Sequence, residues 1–243
     1  MDNYEYCAQW VLTQKRADNF SILDYGCGAG EIVKKLRRMN LNAFGCDNFY
    51  GQGKHRPSTD SRVLDKIKII RGNTIPFDDK YFDLIINNQV IEHVENLDNV
   101  LSEIHRVLKS GGIVLSLFPD KGVWREGHCG IPFLHWFPKY SNFRVYYASI
   151  LRALGLGYDK RDKSIIQWSR DSCDWLDKRT YYRSTDEIFI AFNKYFCDLQ
   201  HIEDQWLVTR FSNHKWIHWL PAKIQRLIVR KLGGLVFVSH KPD

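Results

Sequence analysis

The 243-residue chain is 44% hydrophobic and 26% charged, with 16 Gly and 7 Pro, an ordinary globular composition that excludes a disordered, collagen-like or low-complexity protein. Its net charge of +7 is unevenly placed: residues 1–120 carry −1, 121–183 +6, 184–205 −4 and 206–243 +6, so an anionic partner or acceptor facing the later half is expected, with a solvated basic surface as the alternative. No stretch approaches the roughly 18 to 20 apolar residues of a membrane span, the N-terminus lacks a basic-then-apolar leader, and the six cysteines are irregularly spaced, which together favour a cytoplasmic protein with reduced thiols.

In chain order, Tyr4 to Arg16 has the period of a short amphipathic helix, and Phe20-Ser-Ile-Leu-Asp-Tyr is a strand running into the cluster Gly26-Cys-Gly-Ala-Gly30. A helix is predicted from Glu31 to Met39, a strand from Leu41 that ends at Asp47, and a third strand from Lys66 to Arg71. Tyr81 to Asn87 is a fourth strand. Leu97 to Lys109 repeats apolar residues at 97, 100, 101, 104, 107 and 108, a helix expected to stop at Gly111-Gly112, and Ile113 to Phe118 is a continuous apolar strand. This alternation predicts an α/β protein, a parallel sheet with helices on both faces.

The alternation breaks after Pro119. Residues 121–183 hold 13 of the 34 aromatic residues without a strand period, so they are read as an inserted, aromatic-rich cap between a core at 1–120 and a C-terminal part of the sheet at 184–243. Ser184 with Glu187 forms a capping-box pattern opening a helix to about Phe196. Strands are predicted near Leu199 to Trp206 and at Gly234 to Ser239, with a basic helix between them from Pro221 to Leu232.

Asp24-x-Gly26-x-Gly28-x-Gly30 lies at a strand end and opens a helix, where an open parallel sheet binds ligands. Glycine lets the backbone approach a ligand closely, and the helix N-terminus offers free N–H groups. Asp47, at the end of the next strand, is placed to accept hydrogen bonds from both hydroxyls of a ribose. A dinucleotide fingerprint needs glycine three residues after Gly28, and Glu31 stands there, where it would repel a pyrophosphate. An acidic, glycine-rich crevice suits a cationic ligand with an amino-acid tail and a ribose.

The segment from about Ser21 to Phe118 resembles the class I S-adenosylmethionine-dependent methyltransferases, in their small-molecule branch. The likeness rests on Leu23-Asp-Tyr-Gly-Cys-Gly-Ala-Gly30, Gly45-Cys-Asp47, Ile75-Pro-Phe-Asp-Asp-Lys-Tyr-Phe-Asp-Leu-Ile85, Val90-Ile-Glu-His-Val94 and Glu103-Ile-His-Arg-Val-Leu-Lys-Ser-Gly-Gly112. It implies a Rossmann-like, seven-stranded and mostly parallel sheet with a reversed last strand, and S-adenosylmethionine as cofactor. Carried over residue by residue, Asp24 with Gly26, Cys27, Gly28 and Gly30 would hold the methionine part, and Asp47 the ribose. Asn48 would flank the adenine. Asn73, followed by Thr74, occupies the position from which the family usually reaches the adenine amino group with an Asp. Asn88, after the fourth strand, would face the methyl donor.

Methyl transfer is an in-line displacement, so an acceptor hydroxyl must be aligned and its proton removed. The candidate bases are His128, freed by Gly127 and Gly130 and oriented by Arg125 or Glu126, and His93, with His135 as a weaker choice. Some similar methyltransferases bind a divalent metal through Glu-x-x-Glu-His plus a later His. Here the first position is Gln89, so Glu92, His93 and His128 are expected to hold no metal. The expected reaction is O-methylation of an anionic small molecule, sugar, nucleotide-sugar or lipid-linked glycan of a polysaccharide pathway, with an aryl or quinone-like acceptor as one alternative and a non-catalytic cofactor-binding partner protein as another. Arg125, Lys139 and Arg144 are the expected phosphate ligands. Asn87-Asn-Gln-Val lacks the Asn-Pro-Pro-Tyr of amino-directed nucleic-acid enzymes, so a nucleic-acid substrate is not expected. In 221–232, Ile224, Leu227, Ile228 and Leu232 fall on one face and Lys223, Arg226 and Arg230 largely on the other. Packing of that apolar face on the body of the protein is expected, with peripheral contact of 216–232 on an anionic inner-membrane surface as the alternative.

Overall fold

The computed structural model describes residues 1–15, 17, 19–49, 60–159 and 162–243. Arg16, the expected end of the first helix, lies outside them. The first half runs α1 (Asn3–Gln14), β1 (Ser21–Tyr25), α2 (Glu31–Arg38), β2 (Asn42–Asp47), β3 (Ile67–Ile69), β4 (Phe82–Asn88), α3 (Leu97–Val107) and β5 (Leu108–Phe118). The second half adds α4 (Asn142–Ala153), α5 (Ile165–Arg179), α6 (Thr185–Phe192), β6 (Cys197–His201), α7 (Glu203–Arg210), α8 (Ala222–Leu232) and β7 (Leu235–His240). Seven strands form one sheet in the order β3-β2-β1-β4-β5-β7-β6. Neighbours from β3 to β5 are parallel, and β7 alone is antiparallel to both strands beside it.

Strand alternation assigns each side chain to one of two cores. Ile22, Leu84, Ile86 and Leu115 enter the cluster under α1, α2, α7 and α8, while Leu23, Ile85 and Val114 enter the cluster under α3 and α6. A sheet covered on both faces needs strands apolar on both faces, which is why β1 is buried throughout. The parallel strands end together, so the loops after β1, β2, β4 and β5 open on one edge.

Three boundaries differ from the sequence reading. The helix α3 ends at Val107, before Gly111-Gly112, because Leu108 already pairs with Phe82 and the glycines fall in the register shift that follows. Trp206 is helical, since β6 ends at His201 and Glu203 and Asp204 open α7, whose Trp206 and Leu207 pack inward. The capping box at Ser184 and Glu187 is present, but α6 stops at Phe192.

Between β5 and α6, α4 and α5 gather a separate apolar cluster of Cys129, Ile131, Leu134, Ala148, Trp168, Cys173 and Leu176. Arg144, 2% exposed, is ion-paired there with Asp177. Lys139 donates to the Asp177 carbonyl at 2.8 Å and lies over the Tyr181 ring. Arg144 is therefore no phosphate ligand: a buried pair that loses one partner leaves an uncompensated charge.

The helix α8 does pack on the body, but with the opposite face from the one expected. Gln225 and Val229 are buried, Arg226 pairs with Asp204 at 3.0 Å and Arg230 with Glu203 at 3.1 Å. The α7 carboxylates claim the arginines, and Ile224, Leu227 and Leu232 are left exposed.

Candidate active site

The loop after β1 is shaped by glycines that no other residue replaces. At Gly26, with φ +73°, a Cβ would come within 2.4 Å of the Val90 side chain, and at Gly30, with φ +79°, within 2.5 Å of Ile67. The amides of Gly26 and Cys27 both donate to the Cys46 carbonyl, at 2.8 and 3.1 Å. Asp47 pins the loop from the side: its two oxygens accept from the Gly28 amide at 2.8 Å and the Phe49 amide at 2.6 Å. An ionised carboxylate has about four acceptor positions, so each oxygen retains capacity for a ribose hydroxyl.

Asp24, Gly28, Glu31, Asp47, Phe49 and Asn88 line a cavity of about 390 Å³, together with Tyr4 from α1. Asp24 is 3% exposed, and burial together with Asp47 pushes its carboxyl well above the usual range. A cationic amino-acid group is what such a buried acid pairs with. Asn88 accepts from the Asn3 side chain at 3.4 Å, which ties α1 to the end of β4. On the other side of Asp47 a groove of about 890 Å³ is lined by Asn48, Ile70, Gly72, Asn73 and Ile75. Thr74 is exposed on the same turn, its backbone bridged to Arg71. The residues present would fit S-adenosylmethionine: the acids its cationic tail, Asp47 the ribose, and the groove edged by Asn48, Ile70, Asn73 and Ile75 the base.

Beyond the loop the structure joins residues far apart in sequence. His93 lies in a 3-10 turn directly after β4, and its Nδ1 is 2.7 Å from the Arg179 carbonyl. A carbonyl only accepts, so Nδ1 carries the hydrogen. His128 Nδ1 is 2.6 Å from Glu126 Oε1, and its Nε2 is 3.2 Å from His93 Nε2. Glu126 is fully buried and also accepts from the His128 and Cys129 amides and the Tyr182 hydroxyl. Burial raises its pKa, but the hydrogen bonds led by that from His128 outweigh burial and hold it at about 2. With both Nδ1 atoms donating, two Nε2 lone pairs face each other. The pair therefore has a place for one proton, and Glu126 stabilises the imidazolium that results. His135, by contrast, is buried against the Tyr182 ring and lines neither cavity.

Glu92 lies behind the pair, 2% exposed, with neither carboxylate oxygen hydrogen-bonded among the described residues. Burial, reinforced by Glu126, raises its pKa from 4.5 to about 8. The folded state thus holds a proton between pH 4.5 and 8 that the unfolded chain releases, and stability falls as pH rises through that window. Glu92→Gln should accordingly be more stable than the wild type at pH 8, by on the order of a few kcal/mol and hence with a higher thermal midpoint, the difference vanishing towards pH 4.5. Equal thermal midpoints at both pH values would contradict the buried neutral carboxyl. Donor atoms of Glu92, His93 and His128 all lie within 4.8 Å of one another.

His128 and Trp175 also line a third cavity of about 440 Å³, with Tyr158, Lys163, Trp168 and Asp171. These two residues form the wall shared with the smaller of the two cofactor cavities. Trp175 packs on both histidines, with ring centroids 4.9 Å from His128 and 6.0 Å from His93. Tyr4, Phe49, Trp175 and Tyr182 were not singled out as site residues from the sequence. Trp175 and Tyr182 are near the histidines only because α5 folds back, and the density of aromatics in 121–183 was their only trace.

Residues 23–116 match the methyltransferase domain family. The chain carries a class I, S-adenosylmethionine-dependent methyltransferase domain. It is 35% identical over 104 residues to the sterol 24-C-methyltransferase of Gibberella zeae, covering 38% of this chain and 26% of that protein. It is 30% identical over 105 residues to the mitochondrial ubiquinone biosynthesis O-methyltransferase of Rattus norvegicus, covering 40% of this chain and 30% of that one. The chain thus spans about a quarter to a third of the length of these two relatives. A solved S-adenosylmethionine-dependent methyltransferase from Mesorhizobium loti superimposes with a TM-score of 0.56 at 14% identity, covering 98% of this chain and all of that one, a likeness of fold. The methyltransferase domain accounts for the glycine loop and Asp47, and the histidines meet at its edge.

Proposed function

We propose that the protein transfers a methyl group from S-adenosylmethionine to a hydroxyl of an acceptor with a flat, apolar ring. The observation that carries this reading is the wall shared by the two cavities: His128 and Trp175 face the cofactor cavity on one side and the 440 Å³ cavity on the other. S-adenosylmethionine supplies an activated methyl, and the chain's own work is alignment and proton removal. An acceptor ring lies against Trp175, its hydroxyl reaches the histidine pair, and the pair takes the proton while Glu126 balances the charge. Residues 121–183, as a cap over the core at 1–120 and the C-terminal part at 184–243, provide the acceptor side.

The anionic sugar, nucleotide-sugar or glycan acceptor expected from charge finds less support. Arg144 is enclosed with Asp177, Lys139 is held by Asp177 and Tyr181, and Arg125 lies over the Tyr158 ring. Among the described residues lining the 440 Å³ cavity the one Lys or Arg, Lys163, is paired with Asp171. The two relatives named above are a sterol 24-C-methyltransferase and a ubiquinone biosynthesis O-methyltransferase, which also supports an apolar acceptor here.

The test is turnover of S-adenosylmethionine with hydroxylated aryl or quinol acceptors against phosphorylated sugars. Aryl acceptors are expected to be methylated, with Trp175→Ala raising their KM by about 10-fold and changing kcat little. Methylation of phosphosugars alone, unaffected by Trp175→Ala, would replace this acceptor with an anionic one. A second reading rests on the donor set of Glu92, His93 and His128: a divalent cation held there would polarise the acceptor oxygen. Under that reading added manganese or zinc raises the thermal midpoint of the wild type but not of Glu92→Gln.

A further inference from the structure

The helix α8 presents Ile224, Leu227 and Leu232 to solvent and turns its two arginines onto the protein, the reverse of a surface helix that serves only its own fold. Gln225 donates to the carbonyls of Ile217 and Leu220 at 3.0 and 2.8 Å, and Arg226 and Arg230 are drawn onto Asp204 and Glu203. Outward lie Ile224, Leu227 and Leu232, at 44%, 56% and 65% exposure. The 3-10 turn before the helix, Lys215–Trp219, adds Trp216 at 59% and Trp219 at 86%. Leaving two indoles and three large aliphatic side chains in water is costly, and contiguous apolar surface of this kind marks a contact site.

The charge around the stripe selects the occupant. Between residues 206 and 242 there is no acidic residue, and Lys215 and Lys223 are exposed beside the tryptophans and Ile224. A second copy docked on the same face would bring lysine against lysine. We infer that this face, from Trp216 to Leu232, is a peripheral docking surface for an anionic lipid bilayer: the indoles and aliphatic side chains enter the headgroup boundary and the lysines meet the lipid phosphates. The inference stands on α8 and its preceding turn, and is independent of the acceptor chosen above.

Co-sedimentation of the full chain with phosphatidylcholine vesicles, with and without phosphatidylglycerol, tests it. Binding is expected only to vesicles containing phosphatidylglycerol, and it should be lost as salt passes about 0.5 M, where the Debye length falls to about 4 Å. The double variant Trp219→Ala, Leu227→Glu should reduce the partition coefficient by about 10-fold or more, and Lys215→Glu with Lys223→Glu should do the same. All four positions are exposed, so thermal midpoints close to the wild type are expected and confirm that the variants fold. Absence of vesicle binding by the wild type would overturn the inference. So would equal binding by folded variants, or self-association without lipid that the same variants abolish.

Discussion

The variant His128→Ala is expected to lower kcat by about 100-fold or more while leaving S-adenosylmethionine affinity nearly unchanged, since a positioned base typically contributes that much. The expectation follows from hydrogen-bond bookkeeping: Glu126 fixes His128 Nδ1 as a donor, the Arg179 carbonyl does the same for His93, and the two Nε2 atoms are left 3.2 Å apart to share one proton. Activity should then fall as pH is lowered, because a pair already holding its proton cannot take another from the acceptor. His93 is pushed below its usual range chiefly by burial, so His93→Ala should slow turnover less than His128→Ala. Glu126→Gln, which keeps the shape but removes the charge behind the imidazolium, should lose rate without losing cofactor. Unchanged kcat in His128→Ala would leave catalysis to alignment alone.

The variant Asp47→Ala should weaken S-adenosylmethionine binding by about 30- to 150-fold, or ~2 to 3 kcal/mol, through loss of charge-assisted bonds to the ribose. It also releases the amides of Gly28 and Phe49 from the loop side. Asp47→Asn separates the two effects. Its amide oxygen still accepts from one amide, so a loss close to that of alanine would assign the effect to the ribose carboxylate, whereas near-normal affinity would mean that the ribose is held elsewhere. Calorimetric titration measures both.

The core of the fold was legible because its signals are local. Apolar strands in a doubly covered sheet read as continuous runs, and the glycines of 26–30 are set by φ and by the Val90 and Ile67 side chains. The short elements were less legible: Glu203-Asp-Gln-Trp206 reads equally as the end of a strand or the start of a helix, and tertiary packing of Trp206 decides. On α8 the period was right and the face wrong, because Arg226 and Arg230 obtain partners on α7 that sequence spacing does not reveal. Asp24, Gly26, Gly28 and Asp47 were legible as neighbours at the strand ends, and the structure places them around one cavity. His128 and His93 stood out as residue types, but their contact, the four donors on Glu126 and the shared wall with Trp175 depend on how 121–183 folds over the edge of the sheet. Arg144 illustrates the limit of charge counting, since its +1 belongs to a buried pair.

Titrating the purified protein with S-adenosylmethionine and, separately, with a nicotinamide dinucleotide is the most direct test of the account. Glu31 stands where a pyrophosphate loop needs glycine, and Asp24, Glu31 and Asp47 surround a cavity suited to a cation. S-adenosylmethionine and its demethylated product should therefore both bind, with Asp47→Ala weakening each, and the dinucleotide should give no heat. Binding of the dinucleotide with no response to S-adenosylmethionine would contradict the cofactor assignment and the chemistry built on it.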